Sequence, residues 1–475
     1  MNYKSILFFL GIYSLFVSFF SFLNILYSIY FSYTVGINSY VICLITSLFI
    51  GTLFIFIGYK EIKNISLVDQ FILIILSFIF LPFLISIPYY FSEYDINLIN
   101  SYFEAMSGFT TTGFSIMENK IENMNTPLLL WRSSSQWLGG LFFLVASIGT
   151  LGSKQSKINP SHLILGSITG GNFYNNFTNN FIKILLIYFF TTILIVFLFS
   201  FFDLRLLNSF NLALTVVSAG GFVANSSLSN IITTDSQILI LSIALLFPII
   251  NFYLIFKIIT KKFKLNEHYE DLHLLIIIFF LTLLLYFFIL DNQKIVDIFL
   301  SITSSVSTSG ISILSYNNVD SSLFFILLTI IGGSAISTSS GFKYLRFYIL
   351  LKISYHEIYR LVKPKNVYNK NIFRSESKIE DADAKIAFLI FATFFIGIFI
   401  LSSILTLDNV SFENSFKLSM LTLTNTVNSN LFGIDISGFI DLSSFTKISL
   451  IFFMILGKIE LIAILFLVKK FIFKE

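Results

Sequence analysis

Charge is what this sequence has least of. Only 12% of its 475 residues are Asp, Glu, Lys or Arg, about half the share of a soluble domain. With 56% hydrophobic residues, 60 of the 475 being Phe, and a mean hydropathy of +0.87, the chain cannot cover itself for water. Lipid must be the solvent for much of it. Cysteine is nearly absent: Cys43 stands alone in an apolar run, which excludes an intrachain disulfide and a CxxC motif and reads as a small packed residue. The four histidines, His162, His268, His273 and His356, fall in or beside polar stretches without HExxH spacing, so a metalloenzyme has no support. A net charge of +4, with no basic run interleaved with aromatics, gives no sign of a nucleic-acid partner.

What is there is a series of long apolar runs. Segments near 6–31, 39–59, 69–91, 126–152, 180–202, 236–260, 272–290, 322–351, 384–407 and 445–473 each reach the length needed to cross a bilayer. The first is too long for a signal-peptide core and lacks a small-residue cleavage site, so it reads as a retained helix. Ten spans place both termini on one side. That side holds 23 Lys and Arg against five on the other, namely Lys120, Arg205, Lys294, Lys417 and Lys447. The positive-inside rule makes it the cytoplasmic side. The outer side also carries 14 acids, a net of −9 that would concentrate cations.

Four shorter stretches, at 97–109, 206–217, 294–306 and 411–424, are too short to cross, and each runs into Ser, Thr and Gly. They read as re-entrant half-helices, which are tolerated at membrane depth only inside protein. They align without gaps on Asn100, Asn208, Asp297 and Asn414. Thirteen residues later stand Gly113, Gly221, Gly310 and Val427, and three residues before those come Thr110, Ser218, Ser307 and Thr424. A recurring unit of helix, half-helix, hydroxyl-rich loop and helix indicates four copies of one pore module. Replacing the water around a cation takes rings of oxygen ligands, supplied by carbonyls and hydroxyls. Glycine permits the positive φ that aims carbonyls inward, and the negative ends of half-helices favour a cation. The expected filter is therefore Thr110, Thr111, Thr112 and Gly113; Ser218, Ala219, Gly220 and Gly221; Ser307, Thr308, Ser309 and Gly310; and Thr424, Asn425, Thr426 and Val427.

With these loops in view, further motifs show a likeness. SGFTTTGF at 107–114, WRSSSQWLGG at 131–140, IGGSAISTSSGFK at 331–343, EIYRLVKPKNV at 357–367 and LGKIE at 456–460 resemble the Trk, Ktr and HKT potassium transporters, the TrkH-type membrane subunit most of all. The resemblance spans about residues 5–473. It implies an all-α polytopic membrane protein with two extra N-terminal transmembrane helices (1–66) and four pore repeats, at 67–155, 156–264, 265–366 and 367–475. It implies uptake of a monovalent cation, expected to be potassium, held in the filter without a covalently bound cofactor. It also implies an inner-membrane homodimer in lipid and a cytoplasmic TrkA-like nucleotide-binding regulator ring, nucleotide acting only through that partner.

The resemblance assigns an intramembrane gate to Gly332, Gly333, Ser334, Ala335, Ile336, Ser337, Thr338, Ser339, Ser340 and Gly341, which interrupt an apolar run. The family loop is richer in glycine. Lys458, deep in the last span, takes the place of a family arginine facing the pore as an electrostatic barrier; the alternative is a structural pair with Glu460. Arg132 reads as an anchor behind the filter rather than a snorkelling surface residue. Val427 departs from the family glycine, and a β-branched side chain is an outlier at positive φ. A slipped alignment would put Ser429 there instead, as in sodium-preferring HKT members. The alternatives left open are a non-selective or sodium-permeable channel, a non-conducting partner subunit and an ion-coupled secondary transporter. A membrane enzyme lacks any cluster of catalytic residues.

Overall fold

A computed structural model describes residues 2–34, 36–61, 67–151, 173–225, 227–259, 268–288, 293–313, 321–363, 379, 381–434 and 438–459. Among these residues the regular structure is helical throughout. Two long helices come first, α1 (Tyr3–Tyr30) and α2 (Ile37–Gly58), and pack along each other. Glycine sets their separation. A Cβ on Gly11 would lie 2.7 Å from the Gly51 carbonyl oxygen, and one on Gly58 would overlap the Lys4 carbonyl. In lipid, where apolar burial does not drive helices together, small residues allow the close packing that does. Cys43 lies buried in α2.

Four units follow. The first is α3 (Leu67–Ile85), the short α4 (Leu98–Phe109) and α5 (Thr126–Leu151). The second is α6 (Phe173–Phe201), the short α7 (Leu206–Val217), α8 (Asp235–Ala244) and α9 (Phe252–Ile259). The third is α10 (Tyr269–Phe288), the short α11 (Ile295–Val306), α12 (Ser322–Ile331) and α13 (Tyr344–Val362). The fourth is α14 (Asp381–Leu407), the short α15 (Phe412–Thr424) and α16 (Ser444–Ile459). The short helices start within a residue of where the composition shift placed them. They form a ring: α5 packs on α7, α8 on α11, α12 on α15, and α16 returns to α4.

The spans are less uniform than hydropathy alone indicates. Six described helices are long and apolar enough to cross a membrane: 3–30, 37–58, 68–90, 181–201, 269–287 and 383–407. The run at 236–260, read as one straight span, is broken between α8 and α9 around Pro248. Proline removes a backbone donor, and the carbonyls freed there are used: Ile249 accepts from Ser334 N (2.9 Å) and Pro248 from Ser339 N (3.2 Å). The run at 322–351 is interrupted where expected, between Ile331 and Tyr344. Glu460, Lys469, Lys470, Lys474, His162 and most of the basic stretch 364–380 lie outside the described residues.

The α1–α2 contact generates a test. Ala at Gly58 meets backbone, whereas Ala at Gly51 first meets the movable Leu15 side chain at 2.9 Å. Gly58→Ala should cost about 1–3 kcal/mol, as overpacking does, and Gly51→Ala less. Thermal unfolding in detergent reads the order; equal loss from both would contradict this account of the interface.

Candidate functional site

The four short helices end alike. Thr111, Ala219, Thr308 and Asn425 take left-handed backbone, with φ of 59°, 58°, 60° and 49°. The next N–H in each, at Thr112, Gly220, Ser309 and Thr426, returns to the carbonyl of Ser107, Thr215, Ser304 and Leu421 at 2.9, 2.8, 3.1 and 2.9 Å. This six-to-one closure is how a helix C-terminus is usually sealed, but here without glycine at the left-handed position. The hydroxyl before it is tied to the helix as well. Thr110, Ser218 and Thr424 donate to carbonyls one turn back (2.8, 2.9 and 3.0 Å), and Ser307 donates to Ser304 O (3.0 Å). Positive φ was expected two residues later, at the glycines. Gly113 and Gly310 do show it (83° and 67°), whereas Gly221 and Val427 do not. Val427 is therefore under no left-handed strain, and the expected β-branched outliers are Thr111 and Thr308 instead.

Gly113, Gly221, Gly310 and Val427 meet at one place. A Cβ on Gly113 would lie 2.9 Å from Val427 Cβ and 3.2 Å from Gly221 Cα. One on Gly221 would overlap Val427 Cβ and lie 2.7 Å from Ser309 O. One on Gly310 would lie 2.7 Å from the Val427 carbonyl oxygen. Close approach is thus what requires glycine at Gly221. Val427, not Ser429, stands among the glycines, while Ser429 lines the wall beyond them. A cavity of about 630 Å³ opens over these four residues, walled by Glu118, Arg132, Asn225, Asn428 and Ser429 among others.

Helix α5 wedges between the first two loops, which accounts for its motif. Arg132 Nε donates to Glu104 Oε1 (3.0 Å) and Nη2 to Ser115 Oγ (3.0 Å), and the guanidinium stacks 4.2 Å from the centroid of the Phe222 ring. Glu104 also accepts from Ser115 Oγ and Ile116 N, at 2.9 and 3.0 Å. One turn along, Gln136 accepts from Phe222 N (3.2 Å). Trp131 and Trp137 donate outward to Ile85 O and Thr192 Oγ1. Gly140 allows Ser218 to approach, since a Cβ there would lie 2.8 Å from Ser218 Cβ.

Beneath the loops lies the segment 332–341. Gly332 and Gly341, at φ of 64° and 83°, form its neck. Ser340 N donates to Thr308 Oγ1 (2.9 Å), and Thr338 Oγ1 to Val217 O (3.0 Å). Lys458 Nζ donates to Thr111 Oγ1 (2.6 Å), Ser340 Oγ (3.0 Å) and Thr338 O (3.3 Å). The segment is thereby bonded to three of the four loops, and both strained threonines are held from below. Asn425 Nδ2 holds the fourth loop through Thr112 Oγ1 and Met454 O, each at 2.9 Å.

The fold and the site together invite comparison with known proteins. Residues 36–290, more than half the chain, match the TrkH family, described as cation transport proteins. This chain belongs to the TrkH family. It is 27% identical to an uncharacterized cation transporter of Methanocaldococcus jannaschii, covering 76% of this chain and 77% of that one. It is 24% identical to the Trk system potassium uptake protein TrkG of Escherichia coli, covering 86% of each. The crystal structure of the potassium transporter TrkH from Vibrio parahaemolyticus has the same fold, with a TM-score of 0.85, 20% identity and 98% of both chains covered. The TrkH-family chain is a membrane transport protein and not an enzyme.

Several residues of this TrkH-family site were missed from sequence. Lys343 Nζ donates to Ser339 O (2.6 Å), Ser337 O (3.2 Å) and Ser337 Oγ (3.1 Å), a second buried lysine bonded to the segment that Lys458 also contacts. Glu270 Oε1 accepts from Ala335 N (2.9 Å), and Asp271 accepts from Asn251 N (2.8 Å). The 14 acids counted on the outer side include Glu104. Instead Glu104, Glu270 and Asp271 are built into the protein. Their signal was available for Lys343, at the end of the GFK motif, but not for Glu104, whose partner lies 28 residues away.

Removing one partner of a buried ion pair leaves the other charge stranded, at about 3–5 kcal/mol. Arg132→Met should therefore destabilise the protein by that order, and the Glu104→Gln/Arg132→Met double variant by less than the sum of the two single changes. A thermal double-variant cycle in detergent checks it; strictly additive losses would mean the pair is not coupled.

Proposed function

We propose that this protein conducts a monovalent cation, potassium foremost, inward through the passage framed by the four loops, as the membrane subunit of a Trk-type system. One observation carries the reading: four short helices end, in one shared backbone conformation, at a common point beneath an outward cavity. Their C-terminal dipoles converge there, which favours a cation, and loop carbonyls supply oxygen ligands. The names of its relatives, potassium uptake and cation transport proteins, agree. Segment 332–341 with Lys458 serves as the gate. Both termini face the cytoplasm of an inner membrane, the protein works as a homodimer, and a TrkA-like ring acts on its cytoplasmic face. The carboxylates nearest the loops and the segment, Glu104, Glu270 and Asp271, are committed to local donors, which weighs against a secondary transporter that would use them for coupling.

Purified protein in liposomes tests the reading directly through rubidium and sodium flux. Gly113→Ala, Gly221→Ala and Gly310→Ala should each impair flux or selectivity with insertion intact. Unchanged flux together with an unchanged rubidium-to-sodium ratio in all three rules the filter out. Lys458→Met should raise basal flux. At about 6 Å and an effective dielectric near 20 the repulsion on a passing cation is of order 3 kcal/mol, so the gain approaches about a hundredfold. Equal or lower flux in a well-inserted variant removes the barrier role.

The cavity adds a pH dependence. Glu118 is exposed on the cavity wall, but its inner side is desolvated and the Glu104 charge acts on it. Together these push its carboxyl up to about 7 against the pull of Arg132. As pH falls through that value the group takes a proton and its attraction for cations is lost. One charge at about 10 Å across water is worth about a twofold change in local cation concentration. Flux should drop by that factor from pH 8 to 6 and stay flat in Glu118→Gln; the same drop in both proteins would place the titrating group elsewhere.

A further inference from the structure

We propose that the side chain of Val427 is an apolar plug at the outer end of the passage, pushed aside each time a cation enters; this rests on reading the four loops as the conduction path. Three of the four equivalent positions are glycine, and the fourth brings an isopropyl group into the space those glycines leave. Val427 Cγ2 lies 3.0 Å from where a Cβ on Gly113 would be. Val427 Cγ1 lies 2.6 and 2.9 Å from the same positions on Gly221 and Gly310. The two methyl groups thus face all three glycines. The valine side chain therefore stands where the three glycines come together.

The placement is held from both sides. Two residues earlier, Asn425 is fixed by its bonds to Thr112 Oγ1 and Met454 O. Thr426 between them is fully buried. Val427 itself has ordinary negative φ and is half-buried, its free side facing the cavity. Nothing strains the plug in its closed position. An isopropyl group offers no oxygen to a cation shedding water, so the closed arrangement opposes passage by bulk and by chemistry together. Just beyond it, Asn428 and Ser429 help to wall the cavity, their Oδ1 and Oγ atoms buried without a hydrogen-bond partner among the described residues. The passage therefore has two closures: the polar segment 332–341 with its lysines inside, and a single hydrocarbon side chain outside.

The test uses rubidium flux into liposomes, normalised to inserted protein, with Gly310→Ala as reference. Val427→Ala should raise flux about tenfold, the factor by which forcing a side chain off its rotamer slows a step. Val427→Ile, a larger plug, should lower flux. Val427→Thr keeps the bulk and adds an oxygen, so it should raise flux clearly less than Val427→Ala does. Unchanged or reduced flux in Val427→Ala, while Gly310→Ala is impaired, overturns the plug and leaves the conduction path standing. Thr raising flux as much as Ala also overturns it, since the missing oxygen and not the bulk would then be limiting. If neither Val427→Ala nor Gly310→Ala alters flux, the conduction path itself fails and the plug with it. Should Val427→Ala not insert, Val427→Ile and Val427→Thr still decide: equal flux in both rejects the plug.

Discussion

Backbone that is not helical must find hydrogen-bond partners inside the protein when it lies at membrane depth, because lipid offers none. Much of the architecture follows from that constraint. The segment 332–341 leaves helix, and its donors are answered by Ile249, Pro248, Glu270 and Thr308, its carbonyls by Lys343 and Lys458. The second unit breaks its own helix near Pro248 to offer two of those carbonyls. The four loops meet the same demand differently, turning back onto their helices and burying a hydroxyl in the last turn. The hydroxyls of the four loop ends and of the segment 332–341 are therefore concentrated where the backbone departs from helix.

That concentration is why so much was legible in the sequence. The short helices could be read at their ends because an apolar stretch too short to cross passes abruptly into Ser, Thr and Gly. Lys458 could be singled out because a charge in the middle of an apolar run needs a reason. Hydropathy could not show the break between α8 and α9, since an apolar residue scores alike in a turn and in a helix. Nor could it show that Thr111 and Thr308 take the left-handed turns. Their strain is tolerated through contacts to Lys458 and Ser340, residues far away in the chain. Glu104 was misplaced for a related reason: its position in a short helix reads as exposed until Arg132 is found beside it.

The same contacts tie the segment 332–341 to the loops above it. Thr308 is bonded directly to the segment, Val217 through Thr338, and Thr111 through Lys458. A movement of the segment away from the passage has to release these bonds, and with them the support of two strained threonines. Segment and loops are therefore one mechanical system, the fourth loop joining it through the Asn425–Thr112 bond and anchored on Met454.

The closure of the ring by α16 also bears on how the protein is made. Thr111 waits for Lys458, and Asn100 for Lys447, each 347 residues further along; Thr112 waits for Asn425, 313 residues on. During synthesis the first loop enters the bilayer long before the groups that complete it. Contacts so distant in sequence form late and cost the most loop closure, and an unfinished polar loop in lipid is a site for recognition by membrane quality control. A chain cut short before α16 would leave that loop without Lys447 and Lys458, so the first loop is completed only when the last described helix is in place.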